Sequence, residues 1–238
     1  ELTPRGNSWR EALLLATGHL VFNRGDVATP LDAIDRMLPE RNEPETDEDW
    51  RLIWLGGEML ALIGLSNVEH DEIGREVLPR IRSRLSRLVG EGHLSPVERA
   101  TAGRILAKIG DPRPGVGLKG GLPDIAWCEV PAGPFTMGSD KAHDKQARNS
   151  ELPQHEVTLD AFQIGKYPVT NAQFAPFVAG DGYTNRDYWT DAGWQQKEED
   201  NWTQPRLWDD ERWNLPNHPI VGISWYEAYA YCKWLSAK

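Results

Sequence analysis

Apolar side chains recur every three or four positions through the first half of the chain, the spacing that indicates amphipathic helices. One clear run begins after Val68 and contains Ile73, Val77, Leu78, Ile81, Leu85 and Leu88. Hydroxyl residues followed three positions later by a carboxylate indicate helix starts, because such pairs can satisfy the free amides of a first turn. These pairs are Ser8 with Glu11, Thr29 with Asp32, and Ser95 with Glu98. The pattern predicts five helices of about 10 to 20 residues that pack on one another.

The second half of the chain has a different pattern, in which apolar and polar positions alternate over short segments. Val157 and Leu159, then Phe162 and Ile164, alternate as expected for half-buried strands. A Gly-Pro turn precedes a further strand-like segment at residues 135–137. Helix starts are predicted by the hydroxyl residues Thr170 and Ser224, each followed three positions later by Gln or Glu.

The two patterns meet in a segment rich in glycine and proline. Ile109 is followed by Gly110 and then by prolines at positions 112 and 114, which is typical of a helix end. The composition of residues 111–123 resembles a linker. We therefore predict an α+β protein with an all-α, repeat-like domain at residues 1–118 and a mixed domain at residues 119–238.

Charge and cysteine usage exclude several classes of function. The chain of 238 residues carries a formal net charge of −10, which argues against a nucleic-acid-binding surface. No stretch approaches the roughly 18 apolar residues that a membrane span needs. Only Cys128 and Cys232 are present, which favours a reducing, cytoplasmic location over a disulfide scaffold. The chain begins with Glu1 and ends at Lys238 within a predicted helix, so we interpret it as part of a longer protein.

Several ordered blocks in the second half resemble a known family. They read WCEVPAGPFTMGSD from residue 127, DAFQIGKYPVTNAQFAPFV from residue 160, and NHPIVGISWYEAYAYCKWL from residue 217. Together they resemble the N-terminal half of the formylglycine-generating-enzyme, or sulfatase-modifying factor, domain. The resemblance implies a variant of the C-type-lectin architecture, incomplete at its C-terminus. Residues in these blocks for which structural roles are expected are Trp127, Gly138, His155, Asn171, His218, Ser224, Trp225 and Cys232.

Two blocks of the helical half resemble another family. WREALLLATGHL from residue 9 and LSPVERATAGRILAKIGDPRPGVGL from residue 94 are similar to the helical region after the ATPase core of bacterial NACHT-type NTPases. This resemblance implies that the chain comes from a larger bacterial signalling or defence protein.

The formylglycine-type resemblance does not by itself imply catalysis. Oxidases of that family bind copper through two cysteines that lie beyond the AYCKWL block, so no catalytic or metal-binding residue is assigned in this chain. We expect Cys232 to be buried beside Ala228 and Leu235, and Cys128 to be structural as well. A copper site formed by Cys128 and Cys232 would require the fold to bring them together. No cofactor is predicted, and copper or calcium is expected only with the missing C-terminal half.

A second catalytic branch, the ergothioneine-type sulfoxide synthases, holds non-haem iron with histidines of a helical domain. The helical half lacks the HxxxHxE-like pattern of that branch, and His19, His70 and His93 stand apart from one another. His155 and His218 are expected to form hydrogen bonds that tie loops together.

The tract from Gly180 to Asn217 is the predicted binding surface, because aromatic side chains provide a large contact area. Its candidates are Tyr183, Tyr188, Trp189, Trp194, Trp202, Trp208 and Trp213. The alternative is that these rings pack a loop-rich core. Asp200, Asp209 and Asp210 lack the spacing of a calcium loop and are interpreted as a solvated acidic loop.

We therefore expect a non-catalytic recognition module that binds a protein or small ligand, within a larger polypeptide or complex. Nucleic acid and membrane are excluded as partners. The alternative is a metal-dependent oxidoreductase of the formylglycine-generating type whose catalytic half is missing from this chain.

Overall fold

The computed structural model describes residues 4–38 and 46–238, with side chains of the first helix described from Trp9 onward. Its N-terminal half is helical, and a π-helical turn at His19–Asn23 extends the first helix. The helices are α1 (Pro4–Gly18), α2 (Ala28–Met37), α3 (Asp47–Ile63), α4 (Leu65–His70), α5 (Glu72–Glu91) and α6 (Pro96–Ile109). In the described part of the chain, no helix combines the length and apolar character needed to cross a bilayer.

Helix α3 lies at the centre of the helical core and packs against α5 and α6. Two consecutive glycines let these helices approach closely. A Cβ atom at Gly57 would lie 2.9 Å from both Leu85 Cδ1 and Ile105 Cγ2. The facing side chains, including Leu60, Ile81 and Leu106, are fully buried. The apolar run after Val68 predicted the core-facing side of α5, where Val77, Leu78, Ile81, Leu85 and Leu88 are buried.

Helix starts were predicted with mixed success. The reciprocal hydrogen bonds between Ser95 and Glu98 confirm the start of α6. The prediction at Thr29 is wrong, because α2 begins at Ala28 and the amide of Thr29 donates to Asp26 Oδ1 at 3.0 Å. The prediction at Ser8 is also wrong, since α1 has already begun at Pro4.

The helical segment contains six α-helices within residues 4–38 and 46–109, not the five expected. The additional element is α4, separated from α3 by Gly64 at φ +88°. Val68, where the predicted run began, belongs to α4 and is fully buried. Helix α5 starts separately, where the Asp71 side chain accepts a hydrogen bond from the Gly74 amide.

The C-terminal half combines short strands, short helices and long loops. Its strands are β1 (Leu118–Lys119), β2 (Leu122–Pro123), β3 (Trp127–Val130), β4 (Gly133–Met137), β5 (His155–Leu159) and β6 (Phe162–Gly165). They form three antiparallel pairs, β1 with β2, β3 with β6, and β4 with β5. The helices are α7 (Asn171–Ala179), α8 (Asp191–Glu199) and α9 (Trp225–Ser236), with 3₁₀ turns at Asn149–Glu151 and Arg186–Tyr188.

The predicted strands are confirmed in position, but the prediction that they are half-buried is wrong. Phe135 opposes Val157 in the pair formed by β4 and β5, and Phe162 opposes Val130 in the pair formed by β3 and β6. Most of the apolar side chains on these strands are exposed, among them Trp127, Phe135, Met137, Leu159, Phe162 and Ile164. No layer of the described chain covers them, so alternation predicted the strands but not their burial.

Hydrogen bonds join the helical half to the C-terminal half at one polar junction. Asn217 Nδ2 donates to the carbonyl oxygen of Gly103 in α6 and to Asp111 Oδ2, both at 2.8 Å. Arg113 Nη2 lies 2.6 Å from the same carboxylate oxygen. Burial favours a raised pKa for Asp111, but hydrogen bonds from Arg113 and Asn217 outweigh it and hold the pKa below its ordinary value.

The segment after α6 is ordered by contacts with the C-terminal half. Gln173 Nε2 donates to the carbonyl oxygens of Gly115 at 3.1 Å and Asp124 at 2.5 Å. Thr170 Oγ1 donates to the carbonyl oxygen of Val116 at 2.8 Å. The segment with linker-like composition is therefore held in place by hydrogen bonds to the C-terminal half. The domain boundary after residue 118 stays a prediction.

Replacement of Asn217 by Ala is expected to lower the free energy of unfolding by about 1–3 kcal/mol, because the Gly103 carbonyl oxygen and Asp111 Oδ2 would each lose one hydrogen-bond donor. Urea unfolding followed by circular dichroism measures the change. The matched control is Gln195→Ala, which removes an amide whose partner Glu199 is exposed, and which should change stability by less than about 0.5 kcal/mol. Equal effects of the two substitutions would contradict a stabilising junction.

Candidate functional site

The predicted aromatic tract forms much of the core of the C-terminal half. Tyr183 and Trp189 are buried and join a cluster with Phe174, Phe177, Tyr231 and Trp234. Ring centroids of Tyr183 lie 5.3 Å from Phe177 and 5.6 Å from Trp189. The half-buried rings that pack against this cluster include Tyr188, Trp194, Trp202 and Trp208.

Trp213 is the exposed member of the seven predicted aromatic residues. The rings of Tyr183 and Trp189 are occupied in packing, and Trp189 Nε1 donates to the Gly182 carbonyl oxygen at 2.8 Å. Ligand contact by the tract stays a prediction, and it is now restricted to rings that retain exposed surface. Trp208 is the ring of the tract that lines a groove.

A buried carboxylate holds α9 against the aromatic cluster. Tyr183 donates its hydroxyl proton to Glu227 Oε1 at 2.6 Å, while the Ser224 amide donates to Oε2 at 2.6 Å. The box formed by Ser224 and Glu227 confirms the predicted helix start. Burial, and then the hydrogen bond to Glu227, raises the pKa of Tyr183 well above its ordinary value. The capping pattern in the sequence indicates Glu227 but gives no sign of its second partner.

Asn171 fixes the loop that faces the start of α7. Its side-chain nitrogen donates to the carbonyl oxygens of Trp213 at 2.7 Å and Leu215 at 3.0 Å. The backbone amides of Asn171 and Ala172 donate to the carbonyl oxygens of His218 at 2.9 Å and Pro216 at 2.8 Å. This arrangement agrees with the structural role expected for Asn171. Burial, and then nearby Arg104, lowers the pKa of His218.

An open groove of about 270 Å³ lies between this loop and the first turns of α7. The Trp208 ring forms one wall and packs against Phe174, with a centroid separation of 6.5 Å. Asp209 is exposed and accepts a hydrogen bond from Gln204 Nε2 at 2.5 Å. The lining residues are Asn171, Ala172, Ala175, Trp208, Asp209, Asn214 and Pro216. The groove contains four residues of the predicted tract, and sequence analysis did not identify its α7 wall.

Comparison with known families identifies the C-terminal segment. Residues 125–238 match the FGE-sulfatase family, described as the sulfatase-modifying factor enzyme 1-like domain. These residues form an FGE-sulfatase domain. The resemblance inferred from the sequence blocks is therefore confirmed at the level of the domain family.

Relatives with established names are similar over about half of the chain. A hercynine oxygenase of Mycolicibacterium thermoresistibile is 36% identical over 135 residues, covering 52% of this chain and 30% of the relative. A hercynine oxygenase of Mycobacterium tuberculosis is 33% identical over 114 residues, covering 44% of the chain and 27% of the relative. The formylglycine-generating enzyme of Bos taurus is 32% identical over 136 residues, covering 47% of the chain and 36% of the relative. The chain thus spans about a third of these relatives.

These comparisons correct two expectations. The relatives are named as enzymes, so the prediction of a non-catalytic recognition module is wrong, and the oxidoreductase alternative agrees better with them. The resemblance of the helical half to NACHT-type NTPases is not supported.

The cysteines of the FGE-sulfatase domain are exposed. Cys232 lies on the outer side of α9, so the prediction that it is buried is wrong. Its neighbours Ala230, Tyr231 and Trp234 face the core instead. Cys128 lies on β3 and is also exposed. The sequence pattern predicted a buried face one position away from the observed one. The aromatic residues Tyr231 and Trp234 occupy the buried face, so Cys232 points outward.

The described residues do not assemble a metal centre with three protein ligands. Within residues 4–38 and 46–238, no three His, Cys, Asp or Glu side chains lie close enough together to hold a metal ion. The helical histidines have local partners: His19 contacts Asn23, His70 contacts the Ser66 carbonyl oxygen, and His93 stacks on Trp50. No step of a metal-dependent reaction is derived from these residues.

The acidic loop residues have separate partners. Asp210 binds Arg212 at 2.6 Å, and the hydrogen bonds from Arg212 lower the pKa of Asp210 to about 2. Asp200 accepts a hydrogen bond from Gln196, and Asp209 accepts one from Gln204. This arrangement agrees with the interpretation of a solvated acidic loop.

The remaining family-block residues occupy turns and exposed surfaces. Gly138 has φ +84°, and a Cβ there would lie 2.7 Å from the carbonyl oxygens of Glu151 and Pro153. His155 Nδ1 lies 2.8 Å from the Pro153 carbonyl oxygen, a local contact within one loop. Trp127 and Trp225 are both exposed, and Trp225 stacks on Tyr229 with centroids 5.4 Å apart.

Stability is expected to fall as the pH rises above about 10, the ordinary pKa of tyrosine. The unfolded chain then loses the Tyr183 proton while the folded chain keeps it, so the unfolded state binds fewer protons. Tyr183→Phe should weaken this alkaline dependence and cost about 1–3 kcal/mol at neutral pH, since Glu227 loses a donor. Urea unfolding at neutral and alkaline pH tests both effects. Tyr229→Phe is the control. Superimposable urea unfolding curves for the two variants would contradict a stabilising role of the hydrogen bond between Tyr183 and Glu227.

Proposed function

We propose that this chain supplies the helical region and the first part of the catalytic domain of a metal-dependent oxidoreductase of the formylglycine-generating type. The main support for this proposal is the similarity of the chain to relatives that are named as enzymes. That similarity covers the segment that forms the aromatic cluster. The chain spans about a third of these relatives. The activity of the whole protein is therefore part of the proposal.

The proposal includes a C-type-lectin-like architecture for the domain. Its support is the small share of regular structure in the C-terminal half, where two-stranded pairs alternate with long, hydrogen-bonded loops. The loop after α7 reaches α9 with one short helix and one 3₁₀ turn on the way. The buried side chains Asn171 and Glu227 hold these loops in place.

The exposed strands support the interpretation that the catalytic half lies outside this chain. Leu159 and Phe162 are more than two-fifths exposed, and Ile164 is 55% exposed. Several large apolar side chains exposed on paired strands are consistent with a face that contacts other protein. We infer that further polypeptide of the same domain covers these strands and supplies the metal ligands that the described residues do not assemble.

This chain would then contribute one rigid side of a substrate-binding groove to the enzyme. The aromatic cluster and the Asn171 hydrogen bonds fix one side of the groove without assigning a proton transfer or a metal ligand to it. Rigid support of this kind positions a substrate within a fraction of an ångström in enzymes generally.

A second candidate is an oxygenase that acts on hercynine. The similarity to the Mycolicibacterium thermoresistibile hercynine oxygenase covers 52% of this chain, more than the 47% matched by the bovine formylglycine-generating enzyme. Against this candidate, the described helical histidines have separate local partners and do not form an iron site.

The native full-length polypeptide that contains this chain is the material for the test. Oxygen consumption would be measured with hercynine plus a thiol, and with peptides that contain cysteine or serine. Formylglycine is an aldehyde, so hydrazide capture and mass spectrometry detect its formation on a peptide. We expect oxygen uptake with one substrate class, stoichiometric bound copper or iron, and loss of uptake after chelation.

The two candidates give different products. Aldehyde on the peptide supports the formylglycine-generating type, and oxygenated hercynine supports the second candidate. A metal-free full-length protein that consumes no oxygen with either substrate would overturn the proposal.

A further inference from the structure

We propose that the groove between α7 and the loop at residues 204–218 binds an organic cation, either an alkylammonium or a guanidinium group. The inference goes beyond the oxidoreductase proposal and does not depend on it, because binding is measured without turnover. Three properties of the groove lead to this ligand class: an aromatic wall, an available carboxylate, and a helix start whose first amides are already hydrogen-bonded.

The aromatic face belongs to Trp208. Its ring is half-buried and packs against the buried Phe174, with centroids 6.5 Å apart and planes inclined by 53°. The Trp208 amide donates to the Pro205 carbonyl oxygen at 3.0 Å, which fixes the backbone beside the ring. An indole ring attracts cations to its face through its quadrupole, and tryptophan is the strongest of the aromatic side chains in this respect.

The carboxylate belongs to Asp209, the acidic residue among those that line the groove. Gln204 Nε2 donates to its Oδ2 atom at 2.5 Å and holds the side chain in position. In the described chain no protein donor contacts Oδ1, so this oxygen can accept a hydrogen bond from a ligand. None of the lining residues is lysine or arginine.

Nearby cations do not neutralise the groove. Arg212 lies in the same loop but binds Asp210, with Nη2 and Oδ2 2.6 Å apart. Arg206 also lies in the loop and does not line the groove. The formal net charge of −10 adds to a field that favours a cationic ligand.

The start of α7 would normally favour an anion, because the first amides of a helix are free donors. Here these donors are occupied: the amides of Asn171 and Ala172 donate to loop carbonyl oxygens, and the Gln173 amide donates to Thr170 Oγ1. The Asn171 side-chain nitrogen is also engaged, by the carbonyl oxygens of Trp213 and Leu215. The start of α7 therefore offers no free amide to an anion.

The same ligand chemistry could come from a free amine or from a lysine or arginine side chain of a peptide. The test titrates the intact chain with choline, with acetyl-Gly-Arg-Gly-amide, and with acetate as an anion of similar size. Indole N–H signals in proton–nitrogen NMR spectra report binding, and Trp208→Phe assigns the Trp208 signal. We expect both cations to shift this signal at millimolar concentration, and acetate to leave it unchanged.

The decisive variant is Asp209→Asn, which keeps the shape of an exposed side chain and removes its charge. We expect it to weaken cation binding about fivefold, as typical for an exposed charge and an aromatic face acting together. Glu211→Gln is the matched control, because it removes the same charge from an exposed residue outside the groove and should change affinity less than about twofold. Unchanged unfolding curves would verify that both variants fold.

The relative affinities separate the two sources. Tighter binding of choline assigns the groove to a small amine, and tighter binding of the arginine peptide assigns it to a peptide side chain. The proposal is overturned by an unshifted Trp208 signal at about 50 mM cation, by binding of acetate, or by equal affinity of Asp209→Asn and the unaltered chain.

Discussion

A small set of buried polar side chains at the start of α7 holds the C-terminal half together. Thr170, Asn171 and Gln173 are each less than a tenth exposed. Buried polar groups are costly unless they are hydrogen-bonded, and these three bind backbone carbonyl oxygens of two distant segments. Thr170 and Gln173 hold the connection after α6, whereas Asn171 holds the loop at residues 213–218. The side chain of Asn217, which lies on that loop, donates a hydrogen bond to the Gly103 carbonyl oxygen in α6. One continuous set of hydrogen bonds therefore joins both halves.

The sequence was informative where a single local interaction decides the structure. The pairs Ser95 with Glu98 and Ser224 with Glu227 predicted helix starts because a cap involves residues only three positions apart. It was less informative where a side chain has a second, distant partner. Glu227 also binds Tyr183, 44 positions away, and Asn217 binds Gly103, 114 positions away. No local pattern encodes such pairs, so the junction and the hydrogen bond between Tyr183 and Glu227 were missed.

Burial was predicted well for α5 and poorly for the strands, and the reason is physical. A helix among other helices shows its buried side through the 3.6-residue period, which is why the core positions of α5 were predictable. A strand shows alternation whether or not a layer covers it, so the exposed Phe162 and Ile164 could not be recognised. For the aromatic cluster the error was the opposite one, because side chains predicted to be an exposed binding surface are buried. With few aliphatic residues available, the rings of Tyr183 and Trp189 fill the core and are not free to act as a binding surface.

The same hydrogen bonds that build the domain also determine the chemistry of its groove. Because Asn171 and the first amides of α7 serve the loop at residues 213–218, the helix start cannot act as an anion site. The groove also contains the carboxylate of Asp209, the amide of Asn214 and the ring of Trp208. The proposal of redox chemistry, in contrast, rests on the relatives and not on this groove, since the described side chains do not assemble a metal site with three protein ligands. The described residues of this chain therefore bear on the charge of a ligand in the groove, whereas they give no information on the type of reaction.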